Sequence, residues 1–154
     1  MEDKDIYFMG EALKEAEKAK DILEVPIGAV IVKDNIVIAR GHNMVENKKS
    51  SLNHAEIIAI DEACKKVGDW RLNDCTMYVT LEPCAMCAGA IINSRIDRLI
   101  IGAMDKKRGC CGSIINIVDD GAFNHRVDLK TGVLEEECSN ILKDFFKDLR
   151  ASKN

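Results

Sequence analysis

Apolar residues recur at spacings of three and four through Ile6, Met9, Leu13 and Ala16, so residues 3–20 read as an amphipathic helix with one packing stripe. The period then changes. Residues 25–34 (VPIGAVIVKD) and 35–41 (NIVIARG) are β-branched runs meeting at Lys33-Asp34-Asn35, which predicts an antiparallel hairpin. Residues 42–53 are polar and rich in turn formers, hence a loop. Helical spacing returns with His54 at the entrance, Ile57, Ile58, Ala59 and Ala63 on the apolar side, and Gly68 as the stop. Residues 75–82 (CTMYVTLE) read as a strand, and Pro83 suits the first turn of a helix running through CAMCAGAIINS, where proline loses no hydrogen bond. Cys84 and Cys87 therefore fall at a helix N-terminus. Residues 98–103 (RLIIGA) form a strand apolar enough to be buried on both faces, followed by the basic, glycine-bounded loop MDKKRGCCGS. Leu134, Cys138, Ile141, Leu142, Phe145 and Leu149 mark a last amphipathic helix, with Glu135, Glu136 and Glu137 at its positive end and Lys147 and Arg150 at its negative end. A hairpin followed by alternating helices and strands predicts one layered α/β domain over residues 1–154, with an antiparallel hairpin and parallel later strands in a mixed sheet.

Composition narrows the class. A chain of 154 residues buries about two thirds of its unfolded surface, and 47% hydrophobic with 31% charged residues is a globular balance. No apolar run approaches the roughly 20 residues of a membrane span, and MEDKDIYFMG mixes both charge signs where a secretory signal has a basic start, so a cytoplasmic protein is expected. Seven cysteines, Cys64, Cys75, Cys84, Cys87, Cys110, Cys111 and Cys138, then mean metal, catalysis or packing rather than disulfides. A net charge of -4 supplies no global attraction for nucleic acid, so such a partner would need a local basic patch.

The candidate chemistry centres on VTLEPCAMC. Cys64, Cys75 and Cys138 are read as packing residues. Cys84 and Cys87 suit a redox pair, a structural knuckle or half of a catalytic metal site; a closed knuckle wants a second close ligand pair, and the vicinal Cys110-Cys111 is poorly placed to supply it. His54 completes a three-ligand set, because its helix entrance belongs at the same sheet edge; His42 and His125 lie in polar stretches without that placement. Three protein ligands leave one position open, the mark of catalytic zinc. Glu56 is the proton acceptor. On a regular helix its two-residue step from His54 turns about 200°, so the metal must sit over an imperfect first turn. Singly, His54 reads as a capped or hydrogen-bonded histidine and Glu56 as a first-turn glutamate favoured by the helix dipole. Jointly, H-A-E with P-C-A-M-C is the signature of zinc-dependent deaminases.

Beyond that signature, residues 25–146 resemble the bacterial tRNA-specific adenosine deaminases through VPIGAVIV, GHN, NHAEIIAI, YVTLEPCAMCAGAIINSRI, LIIGAMDKKRGCCGS, NHRV and DFF. The resemblance implies a three-layer α/β/α cytidine-deaminase-like fold with about five strands, a homodimer, and conversion of the wobble adenosine in an arginine tRNA anticodon loop to inosine. It further implies one zinc ion per subunit on His54, Cys84 and Cys87, Glu56 as proton shuttle, Asn43 reading the adenine edge, and Asp105, Lys107, Phe146 and Arg150 meeting anticodon nucleotides. Lys106, Lys107 and Arg108, with Lys48, Lys49, Arg95, Arg98 and Arg150, are candidates for the basic patch. A deaminase of free guanine or cytosine, and a non-catalytic zinc scaffold for RNA, are the alternatives; Glu56 speaks against the second, which needs no proton shuttle.

Overall fold

Helix α1 (Glu2–Asp21) turns Asp5, Phe8, Met9, Ala12, Ala16 and Ala19 inward in a computed structural model that describes residues 2–119, 121 and 123–152. Its buried stripe is rotated from the expected one, and Ile6 is 48% exposed. Polar Asp5 goes inside because partners wait there: the Tyr78 hydroxyl donates to it at 2.7 Å and Lys130 Nζ at 2.9 Å. Strands β1 (Gly28–Lys33) and β2 (Ile36–His42) meet as the expected hairpin, through Asp34 and Asn35, both left-handed at φ 53° and 62°.

The stretch expected to be loop contains a single helical turn, α2 (Val45–Lys48). A distant side chain holds it: buried Glu24 accepts from the backbone N–H groups of Glu46 and Asn47 at 3.1 and 2.7 Å. Helix α3 (Ala55–Val67) is capped by His54 and stops at Gly68, φ 79°, as the pattern predicts. After β3 (Cys75–Leu81), helix α4 (Ala85–Asn93) begins with Cys84 as its N-cap. Pro83 thus stands just before the cap, not in the first turn. Strand β4 (Arg98–Ala103) is buried on both faces. The short strand β5 (Asp128–Thr131) has no distinctive period, and α5 (Glu135–Ser152) buries Cys138, Ile141 and Phe145 while Leu149 stays exposed.

The sheet order is β2-β1-β3-β4-β5; β1 is antiparallel to β2 and β3, whereas β3, β4 and β5 are parallel. Alternate residues face two cores: Ala29, Ile31, Met77, Val79, Leu99 and Ile101 pack under α3 and α4, and Val30, Val32, Tyr78 and Ile100 under α1 and α5. This is the three-layer arrangement. Strands β2, β3 and β4 run in the same direction, so their C-terminal ends deliver the segments after His42, Leu81 and Ala103 to one edge. Two glycines set the layer spacing. A Cβ on Gly28 would run into the backbone of Ala12 and Ala16 in α1, and one on Gly41 into Ala55 and Ala59 in α3.

Candidate functional site

His54 and Cys84 are both N-cap residues in extended conformation, at φ -76° with ψ 153° and -178°, and neither side chain caps its own helix. Both are free to turn toward the gap between the helix starts. There His54 Nδ1 lies 3.6 Å from Cys84 Sγ and 3.5 Å from Cys87 Sγ, and the three donor atoms fall within 4.8 Å of one another. A tetrahedral ion at bond lengths of about 2.3 Å to sulfur and 2.05 Å to nitrogen sets a sulfur-to-nitrogen edge of about 3.6 Å. The donor set therefore fits a divalent metal in both chemistry and spacing. His54 sits outside the regular helix, which removes the 200° conflict with Glu56.

Acid-base properties follow from the same packing. The Cys87 thiol donates to Cys84, and this bond, aided by the α4 N-terminal N–H groups of Cys87 and Met86 and by His54, holds Cys84 down to about 5 against its burial. Cys87 is raised by the bond it donates and by burial. A metal displaces these protons on binding. Glu56 is 4% exposed, and burial pushes its carboxyl up to about 7, opposed by the hydrogen bond from its own N–H and reinforced by the Cys84 charge.

Glu82, which the sequence reading passed over, organises the wall opposite. It accepts from the N–H groups of Asp105 at 2.9 Å, Cys111 at 3.0 Å and Ser113 at 2.9 Å, and from the Ser113 hydroxyl. Burial raises its carboxyl, but these bonds, led by the hydroxyl, outweigh burial and hold it below the usual range. Gly109 passes so close that a Cβ there would strike this carboxylate. Cys110 N–H donates to Pro83 O at 2.9 Å, so the whole 105–113 loop hangs from the residues just before Cys84. The signal was a buried-position glutamate in TLEPC, legible only once its partners were known.

The remaining expected site residues separate into two groups. Asn43 and Asp105 border the His54–Glu56 turn. Asn43 is 8% exposed, donating to Val25 O and accepting from Val45 N at 3.3 Å each, which leaves one amide hydrogen and one lone pair for another molecule. Lys107, Phe146 and Arg150 line a separate groove of about 500 Å³ between the β4 end and α5, beside Lys143. The broader basic patch is corrected. Arg98 begins β4, at the opposite sheet edge, and pairs with Asp5 and Asp128 at 3.5 and 3.6 Å; Arg95 stands beyond the far end of α4, over the Trp70 ring. His42 meets Glu15 at 3.1 Å and His125 meets Ile96 O at 2.8 Å, so neither joins the metal site. Cys64, Cys75 and Cys138 are free, the latter two fully buried.

Over residues 2–150 the sequence matches the family described as MafB19-like deaminase. It is 51% identical over 149 residues to the tRNA-specific adenosine deaminase of Bacillus subtilis (strain 168), covering 97% of this chain and 92% of that protein. A chain from a structural study of A-to-I editing by tRNA:A34 deaminases at the wobble position of transfer RNA superposes with a TM-score of 0.85 at 44% identity, covering 88% of this chain and 99% of that one. The guanine deaminase from Nitrosomonas europaea, at 24% identity and a TM-score of 0.80 over 91% of this chain and 83% of that one, shares the fold alone.

Proposed function

Since the chain belongs to the MafB19-like deaminases and, within them, to the tRNA-specific adenosine deaminases, we propose that it hydrolyses the wobble adenosine of an arginine tRNA anticodon loop to inosine, releasing ammonia. His54, Cys84 and Cys87 hold one zinc ion in this reading, a Cys₂His set with an open position. Bound there, zinc supplies Lewis acidity that brings the pKa of water from 15.7 toward about 7. The chain's own contribution is proton traffic and positioning.

Glu56 carries the reading. Buried at 4% exposure and lining one cavity with His54 and Cys84, this one side chain takes a proton from the attacking water, delivers it to the purine ring nitrogen, and then serves the departing ammonia, and burial already weakens its acidity in the direction that role needs. Asn43 holds the adenine edge with its remaining hydrogen and lone pair. Asp105 borders the base, and Lys107, Phe146 and Arg150 receive neighbouring anticodon nucleotides, the ring by stacking and the cations at phosphates. An anticodon loop is already single-stranded, which makes extrusion of its base inexpensive.

The working form is a cytoplasmic homodimer of one deaminase domain over residues 1–154, of which residues 1, 120, 122, 153 and 154 lie outside those described. Exposed Leu52, Ile114 and Ile115 provide apolar surface that a second copy would cover. Among the described residues no helix is long and apolar enough to cross a membrane.

The direct experiment incubates zinc-loaded protein with tRNA transcripts bearing adenosine first in the anticodon and, separately, with free adenine, guanine and cytosine. Inosine at the wobble position supports the reading. Turnover of a free base with none in tRNA would replace it with a nucleobase deaminase, and zinc-bound protein inert on all of them would leave a scaffold.

A further inference from the structure

Two cavities open over the His54–Glu56 turn. One, of about 200 Å³, is walled by Val25, Ile27, Asn43 and Glu56; the other, of about 60 Å³, reaches Cys84, Glu82 and Asp105. Arg108 lines both, and among the described residues it is the single lysine or arginine in either wall. The same walls carry five carboxylates, Glu24, Glu46, Glu56, Glu82 and Asp105. An RNA chain brings a phosphate on each side of its target nucleoside, and both must approach this acidic rim.

Arg108 is held ready at that place. Its N–H donates to Asp105 Oδ1 at 3.2 Å, that of Lys107 to the same oxygen at 3.0 Å, and Asp105 N–H to Glu82, adjoining Pro83 and Cys84. The backbone is thereby tied to the metal-ligand segment, while the side chain is exposed and, among the described residues, takes part in no ion pair. Arg40, Arg71 and Arg98 are all paired. Lys107 lines the separate α5 groove, and Lys106 lines neither cavity.

We propose that Arg108 clamps a phosphate flanking the target adenosine, and that this contact gives the site its preference for a nucleoside within RNA over a free base. The planar guanidinium presents paired donors to phosphate oxygens, which a lysine cannot match, and a free base offers it nothing to hold. The inference rests on the tRNA adenosine deaminase reading.

The test compares wild type with Arg108→Ala and Arg108→Lys on two anticodon stem-loop RNAs: one unmodified, the other with neutral methylphosphonates on both sides of the target adenosine. On unmodified RNA, Arg108→Ala lowers kcat/KM by about tenfold to a hundredfold, chiefly through KM, and Arg108→Lys recovers part of the loss. The plot of log binding constant against log salt becomes shallower by about 0.7. Neutralising the linkages costs wild type a similar factor but leaves Arg108→Ala nearly unaffected. An Arg108→Ala enzyme with wild-type kcat/KM, or one as sensitive to the neutral linkages as wild type, overturns the proposal. A wild type that forms no inosine in unmodified RNA overturns the parent reading before any variant is compared, and this inference with it.

Discussion

Glu56 and Glu82 are both buried within 4% exposure at the same sheet edge, yet their acidities move in opposite directions. Glu56 meets few hydrogen-bond donors, so burial dominates; Glu82 is saturated by them, so the charged form wins. Glu56→Ala should lower kcat/KM roughly 10²–10⁴-fold while zinc content, read by metal analysis, stays at one per subunit. In the metal-free protein its folded pKa of about 7 lies above the ordinary 4.5, so its stabilising contribution is full below pH 4.5 and lost as pH rises to about 7. Glu56→Gln is therefore expected to match the metal-free wild type near pH 4.5 and exceed it at pH 8, by on the order of 3 kcal/mol in denaturant melts. Glu82 behaves inversely: its stabilisation is present above the ordinary 4.5 and lost as pH falls through its lower folded pKa. Glu82→Gln should cost about 2–4 kcal/mol at pH 7, with the gap to wild type narrowing below pH 4.5 in urea unfolding.

At the scale of elements, function depends on how closely helices approach the sheet. α3 presses on β2 at Gly41, and His54 caps that helix, so the layer spacing fixes where the imidazole stands. Gly41→Ala would displace α3, costing about 1–3 kcal/mol and weakening zinc affinity; unchanged affinity in a chelator competition would disconnect the packing from the site. The Gly28 contact with α1 lies on the other face. Gly28→Ala should destabilise the fold comparably with a smaller change in metal binding.

The whole molecule carries a net charge of -4, and among the described residues the cations near the site outside any ion pair are few: Lys106, Lys107 and Arg108 on one loop, Lys143 and Arg150 on α5. If these cations are the docking surface, attraction for tRNA is local and electrostatic, and affinity should fall steeply with salt in filter-binding titrations. An unchanged affinity across that range would exclude the basic loop and α5 as the docking surface. Chelation should remove activity and lower the melting temperature, because only the folded chain gathers the three ligands; restored zinc should recover both.

Local order along the chain determined the elements and the chemistry. Apolar spacing gave α3 its length and Gly68 its stop, Asp34-Asn35 gave the hairpin turn, and H-A-E with P-C-A-M-C named the candidate ligands, because each depends on residues close together in sequence. Relations between distant residues were settled only by folding. Tyr78 and Lys130 drew Asp5 inward and rotated the α1 stripe; Glu24 created α2 from a polar loop; Glu82 gathered residues 105–113 beside the segment that carries Cys84 and Cys87; the direction of β4 carried Arg98 to the opposite edge from Arg108. A hydrogen bond spanning 23 to 125 residues leaves no period in the sequence, and its energy exists only where tertiary packing brings donor and acceptor together out of water.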